Sequence, residues 1–142
     1  ISARTQDADF PAKVPLDVDL FVTGHTHRPL TRQFQGIDIL NVGSVGSPFD
    51  GDARASYGQL EWRHGRWHTR IIRLDYDRVA AGRAFEESGF LDRGGPLARI
   101  VHAEWLRARP LINAWHQRYG EAVRQGQICP DRAVDEYLGS LS

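Results

Sequence analysis

The sequence predicts an α/β fold: a β-rich first half followed by a helical C-terminal tail. Two changes in pattern predict it. Up to Tyr76 the chain alternates short apolar runs with glycine-rich loops. After Tyr76 the apolar residues recur at helical spacing, and prolines stand where helices start. Composition bounds the class. The 142 residues are 41% hydrophobic and 25% charged, ordinary globular values with enough chain for a real core.

Taken in order, residues 1–17 are polar, interrupted by Pro11 and Pro15, and read as a connecting segment. Val18–Thr23 is a short, mostly apolar, β-branched run closed by Gly24, the pattern of a buried strand. After the loop Gly24–Pro29, Thr31–Gln35 and Ile37–Val42 read as two strands about a tight turn at Gly36. A glycine-rich loop, Gly43–Asp52, leads to a hairpin of Ser56–Trp62 and Trp67–Tyr76 that turns at His64-Gly65. Residues 78–88 carry Val79, Ala80, Ala84 and Phe85 at helical spacing, and Gly89 stops them. Pro96 opens a helix with Leu97, Ile100, Val101 and Trp105 on one stripe. Pro110 breaks it; Leu111, Trp115, Tyr119, Ala122 and Val123 form the next stripe. Pro130 opens a last short helix with Val134, Tyr137 and Leu138. The division falls near residue 77: residues 1–77 form the β-rich half, and residues 78–142 a helical extension expected to pack on it.

The totals exclude several classes. Eighteen basic and eighteen acidic side chains cancel, which removes any argument from bulk charge for nucleic acid or anionic membrane and leaves a local nucleic-acid patch open. No apolar run approaches the roughly 18 residues of a membrane span, and no signal-peptide pattern opens the chain. Cys129 is the sole cysteine, so no intrachain disulfide forms; a reducing, cytoplasmic setting is expected. The chain starts at Ile1 and holds no methionine, so an upstream segment is expected.

The chemistry-bearing motif is Gly24-His25-Thr26-His27, directly after the first strand. Histidines at i and i+2 in an extended loop point in different directions and can serve two different metal ions. A helical pair at i, i+4 would chelate one. Neutral imidazole suits Zn, Mn, Fe and Ni. The competing reading is a chance His-x-His, which the strand and the glycine turn make less economical. Downstream, Asn41-Val42-Gly43-Ser44 follows a strand, which suits a loop whose backbone N–H groups face an anion. A plain glycine-rich turn is the alternative.

Together these segments, with Gly51-Asp52-Ala53-Arg54-Ala55-Ser56-Tyr57, resemble the calcineurin-like metallophosphoesterases, in particular a small bacterial phosphodiesterase-like branch. That branch has a Gly-His-Thr-His loop, a strand, an Asn-Pro-Gly-Ser-Val turn and a Gly-Asp-x-Arg-Ala-Ser-Tyr stretch. The resemblance runs from about Val18 to Tyr76. It implies the C-terminal portion of a metallophosphoesterase-like β-sandwich flanked by helices, with the helical tail appended. It implies two divalent metal ions (Mn, Fe, Zn or Ni), with His25 ligating one and His27 the other, while Asn41 supports the loop. Val42 stands where proline is usual, which predicts a looser turn. The family's Asp-x-His, bridging Gly-Asp and Gly-Asn-His-Asp/Glu segments find no counterpart here. The resemblance therefore assigns the catalytic acid and the remaining ligands to an N-terminal half of the same fold, in the same polypeptide or a companion chain. The implied reaction is hydrolysis of a phosphomonoester or phosphodiester, in which two ions about 3.5–4 Å apart polarise the phosphoryl group and activate water.

Other residues have two readings each. Arg54 approaches a substrate phosphate, or anchors its loop in a salt bridge. Trp62-Arg63-His64-Gly65-Arg66-Trp67 is a basic aromatic turn that stacks nucleobases, or a hairpin tip with packed tryptophans; His68 adjoins it. His102 and His116 read as surface or boundary residues, and Cys129 as a small apolar residue. Trp105, Trp115 and Tyr119 read as core, with an oligomer surface as the alternative. For the whole chain the alternative to an enzyme is a non-catalytic scaffold whose helical tail recruits a partner.

Overall fold

Ile37, Ile39 and Leu40 place apolar side chains on both faces of one strand, and that strand organises the first half of the molecule. The computed structural model describes residues 1–141 and divides at Tyr76 into two units. In the first unit β1 (Leu20–Thr23), β2 (Leu30–Phe34) and β3 (Ile37–Asn41) form a sheet in the order β1-β3-β2. β1 runs parallel to β3, from Leu20 opposite Asp38 to Thr23 opposite Asn41. β2 runs antiparallel to β3, from Leu30 opposite Asn41 to Phe34 opposite Ile37. The β2–β3 turn is two residues long, Gln35 (φ 49°) and Gly36 (φ 85°). Positive φ at both central positions matches the twist of the flanking strands, which is why a glycine is placed there. β1 is four residues long and half-buried, with Val22 43% exposed, and not the fully buried strand that its apolar run predicts. Its outer edge pairs with no strand among the described residues.

Residues 1–17 are more than a connector. A 3-10 helix, Asp7–Ala12, carries Phe10, which with Val14 packs against Ile37 and Ile39. Phe10 stacks on Phe34 at 4.8 Å, and the Arg32 guanidinium lies over the Phe10 ring at 4.6 Å. Its lone aromatic amid polar residues is what hid this small core from pattern reading.

The second sheet is a hairpin, β4 (Ala55–Arg63) and β5 (Arg66–Leu74), paired antiparallel from Ala55–Leu74 to Arg63–Arg66. Gly58 explains how it lies against β3: a Cβ there would stand 2.7 Å from Val42 Cγ1 and 3.1 Å from Leu40 Cδ2. Absence of a side chain is the condition for that approach. At the tip Trp62 and Trp67 face each other edge-on at 5.3 Å, and Trp62 stays half exposed.

The second unit is helical: α1 (Arg78–Glu87), a short α2 (Phe90–Arg93) that periodicity did not predict, α3 (Pro96–Arg107), α4 (Ile112–Arg124) and α5 (Pro130–Gly139). Ile100, Ala103, Leu111, Trp115, Tyr119, Ala133, Val134 and Tyr137 form its core. Ile100 is fully buried and Val101 only partly, so the α3 stripe is rotated from the expected one. Trp105 packs elsewhere, against Phe85, His102 and the Arg78 guanidinium. The break between α3 and α4 begins at Ala108 in left-handed conformation (φ 50°), before Pro110. Buried Glu104 then closes the start of α4: its Oε1 accepts Leu111 N–H at 2.6 Å and Ile112 N–H at 2.9 Å. A carboxylate at a helix N-terminus satisfies orphan donors and meets the positive end of the dipole. Burial pushes the Tyr137 phenol above its usual pKa, Glu104 adds to the effect, and the hydroxyl donates to Leu111 O at 3.0 Å. No helix among the described residues is long and apolar enough to cross a membrane.

Candidate metal centre

The loop after β1 is tightly turned where the sequence predicts an extended one. Thr26 N–H donates to Gly24 O at 2.9 Å, closing a three-residue turn across His25. His25 (φ 70°) and His27 (φ 56°) both occupy the left-handed region. That region costs a residue with a side chain about 1–2 kcal/mol. Two such residues, both histidine, in one turn at a strand end mark a loop held in place by its surroundings.

Those surroundings can be named. His27 Nδ1 stands 2.8 Å from Ser47 O. A carbonyl only accepts, so Nδ1 carries a proton, and in the neutral ring the lone pair is the one on Nε2. This is the arrangement in which a second interaction orients an imidazole ligand and sets its tautomer. The ring also lies against Phe49 at 4.7 Å, Phe49 N–H donates to His27 O at 2.9 Å, and Arg28 Nε donates to Phe49 O at 2.8 Å. The Phe49 segment thus grips the histidine loop from outside. From inside, buried Asn41 donates to Gly24 O at 3.0 Å and Thr26 Oγ1 at 2.9 Å, while its Oδ1 accepts Gly43 N–H at 3.0 Å. Asn41 is thereby a support of the loop, as the resemblance implies. His25 is exposed at the tip of the turn, and His27 is partly buried.

The turn after β3 is not loosened by Val42. Its N–H donates to Thr23 O at 3.1 Å and extends the β1–β3 ladder by one bond. Two further N–H groups of this loop are satisfied internally: Gly43 by Asn41, and Ser47 by Ser44 Oγ at 3.0 Å.

Arg54 lies in the next turn with its fork on Asp52, Nε at 3.0 Å and Nη2 at 2.7 Å from the carboxylate oxygens. The Arg54 side-chain hydrogen bond holds the Asp52 carboxyl well below the usual carboxylate range, and Asp52 in turn raises Arg54. Arg73 of β5 pairs with Asp50 and donates to Arg54 O at 3.4 Å. This clasp ties the loop that carries Ser47 and Phe49 to the hairpin. Pattern reading missed Arg73 because it sits at an ordinary strand position, and it missed Ser47 because the acting group is a backbone carbonyl. Cys129, read from the sequence as a small apolar residue, is an exposed free thiol at the start of α5.

As a donor set, the chain offers two imidazoles, one with an assigned lone pair. No group of three or more His, Cys, Asp or Glu side chains is assembled for a metal among the described residues. The set fits part of a metal centre, His25 and His27 being the residues of this chain that would hold one.

A mixed sheet whose strand ends in a clamped Gly-His-x-His turn defines a class before any comparison is made: an α/β fold with a candidate ligand loop at the strand end. No protein-family model matches the chain, and no curated protein matches it. Among solved structures it is similar to a metallophosphoesterase from Sphaerobacter thermophilus, with 23% identity over 72% of this chain and a TM-score of 0.53. It is also similar to a Vps29 double mutant from Entamoeba histolytica, with 25% identity over 42% of each chain and a TM-score of 0.29. The first likeness shows the fold: the chain has a metallophosphoesterase-like α/β fold. It spans 46% of that metallophosphoesterase's length, about half.

Proposed function

We propose that this chain supplies the Gly24–His27 ligand loop of a metal-dependent phosphoesterase acting on a phosphomonoester or phosphodiester. One observation carries the reading: His27 Nδ1 is committed to Ser47 O, which in the neutral ring leaves Nε2 as the positioned lone-pair donor. The left-handed His25 and His27 and the Asn41 support make the loop preorganised, so little ordering remains when a cation binds. In this reading His25 and His27 each hold one of two divalent ions, of the Mn, Fe, Zn or Ni type, and an N-terminal half of the same fold supplies carboxylates and the catalytic acid. Ions so held polarise the phosphoryl group and activate water. The chain's own part is to orient the two imidazoles, fix the His27 tautomer and hold both rings at the strand end.

The test uses the complete polypeptide. His25→Ala and His27→Ala are each expected to lower hydrolysis of a generic phosphodiester by orders of magnitude and to lower bound metal, with the circular dichroism spectrum unchanged. Unchanged turnover under limiting metal would overturn the assignment. Absence of both metal and hydrolysis in the parent would favour the scaffold reading.

A further inference from the structure

Arg28 directly follows the second candidate ligand, and its side chain is held in place without being neutralised. Its Nε donates to Phe49 O at 2.8 Å, on the same short segment whose Ser47 O receives His27 Nδ1. The two side chains therefore rest on backbone carbonyls two residues apart. Phe49 touches both, since its ring lies 4.7 Å from the His27 ring. Pro29 restricts the Arg28 backbone to extended conformations, which narrows where the guanidinium can go. Beyond Nε, the two Nη groups of Arg28 have no hydrogen-bond or ion-pair partner among the described residues. The neighbouring arginines differ: Arg54 is engaged by Asp52 and Arg73 by Asp50. Residues 24–29 and 42–49 contain no acid, so neither loop segment beside Arg28 can neutralise it. An exposed guanidinium, anchored at one nitrogen and open at its other two beside a candidate metal loop, is suited to an anion that arrives from solvent.

Resting on the phosphoesterase reading above, we infer that Arg28 is a specificity-determining residue: it binds the substrate phosphate and favours a phosphomonoester over a phosphodiester. Charge and oxygen count give the direction. A monoester near neutral pH carries close to two negative charges and three terminal oxygens. A diester carries one charge and two such oxygens. With oxygens taken up by the proposed ions, the monoester keeps one more than the diester for the Arg28 Nη–H groups. The second ester group of a diester also puts carbon where the fork needs an acceptor. Arg54, the arginine that the sequence offers for this role, already has its fork on Asp52.

The experiment measures equilibrium binding, so it does not depend on turnover. The metal-loaded complete polypeptide is titrated calorimetrically with phenylphosphonate, a non-hydrolysable monoester analogue, in mild base where it is doubly charged. A second titration uses methyl phenylphosphonate, its singly charged, diester-like counterpart. The parent is expected to bind phenylphosphonate about tenfold more tightly, the scale of one hydrogen-bonded charge pair. Arg28→Gln is expected to weaken phenylphosphonate about tenfold and the methyl ester by about twofold at most, with bound metal unchanged. Arg28→Lys keeps the charge and loses the planar fork, and should recover only part of the loss. Equal weakening of both ligands by Arg28→Gln, or loss of bound metal, gives Arg28 a purely structural part and overturns the proposal. A metal-loaded parent with no preference for phenylphosphonate overturns it as well; in these cases the metal reading of His25 and His27 stands. A parent that holds no metal overturns that reading, and this inference with it.

Discussion

Asn41 shows how one buried amide can position a site it does not join. Three of its hydrogen bonds tie the end of β3 to both residues that flank His25 and to the next turn. Asn41→Ala leaves Gly24 O, the Thr26 hydroxyl and Gly43 N–H short of a partner, and is expected to cost about 2–3 kcal/mol in chemical denaturation. If the loop is a metal site, metal affinity falls in the same variant; a loss of stability with unchanged metal content would separate the two roles. Asp52 is a second residue with a measurable consequence. Its carboxyl pKa lies far below the ordinary range because Arg54 donates to it. A depressed folded pKa contributes stability that is present above the unfolded pKa of about 3.9 and is lost as pH falls through the folded value. Asp52 is therefore expected to stay ionised in acid where ordinary aspartates are protonated, read from its carboxyl ¹³C shift. Arg54→Gln should return it toward the ordinary range. Arg54 is half exposed and Asp52 about a third exposed, so solvent screens the pair and the effect on global stability is small.

Elements in this chain are closed by residues remote from them. α4 begins at a position with no side-chain cap of its own, and Glu104, on α3, does that work across the break. Glu104→Ala leaves two N–H donors unpaired and is expected to destabilise by about 2–3 kcal/mol. Glu104→Gln keeps an accepting oxygen but removes the charge facing the dipole, and should cost about 1 kcal/mol. Urea denaturation distinguishes them; equal losses would show that charge, not acceptance, is what α4 requires. The hairpin depends on a remote residue in the opposite sense, since Gly58 must lack a side chain for β4 to approach Leu40 and Val42.

At the scale of the whole molecule, the two units differ in how completely they close. Residues 77–142 enclose their own core, centred on Trp115, which is nearly fully buried. Expressed alone, this segment is expected to give a helical spectrum and one cooperative thermal transition. Trp115→Ala should lower its stability by about 3–5 kcal/mol. Gradual, non-cooperative melting would show that its core needs the rest of the chain. Among the described residues no strand pairs with the outer edge of β1, and a bare edge of this kind invites pairing with another chain. In the proposed reading, an N-terminal half of the same fold would cover that edge and supply the remaining ligands.

Local pattern by itself determined much of this protein. Strand runs, the turns at Gly36 and His64-Gly65, the proline-led helix starts and the Gly-His-Thr-His loop at a strand end are all legible, because each depends on residues close in sequence. The two candidate ligands were legible as types in a spacing. Their left-handed backbone was not, since it is imposed by Asn41 from within and by Ser47 and Phe49 from outside. Phe10 as core, the Glu104 cap and the Arg73 clasp were equally hidden. Each joins residues far apart along the chain, and a hydrogen bond to a distant carbonyl or a ring packed on a distant strand leaves no period to read. Tertiary structure decided which nitrogen of His27 is available, because only folding brings the Ser47 carbonyl to the other one.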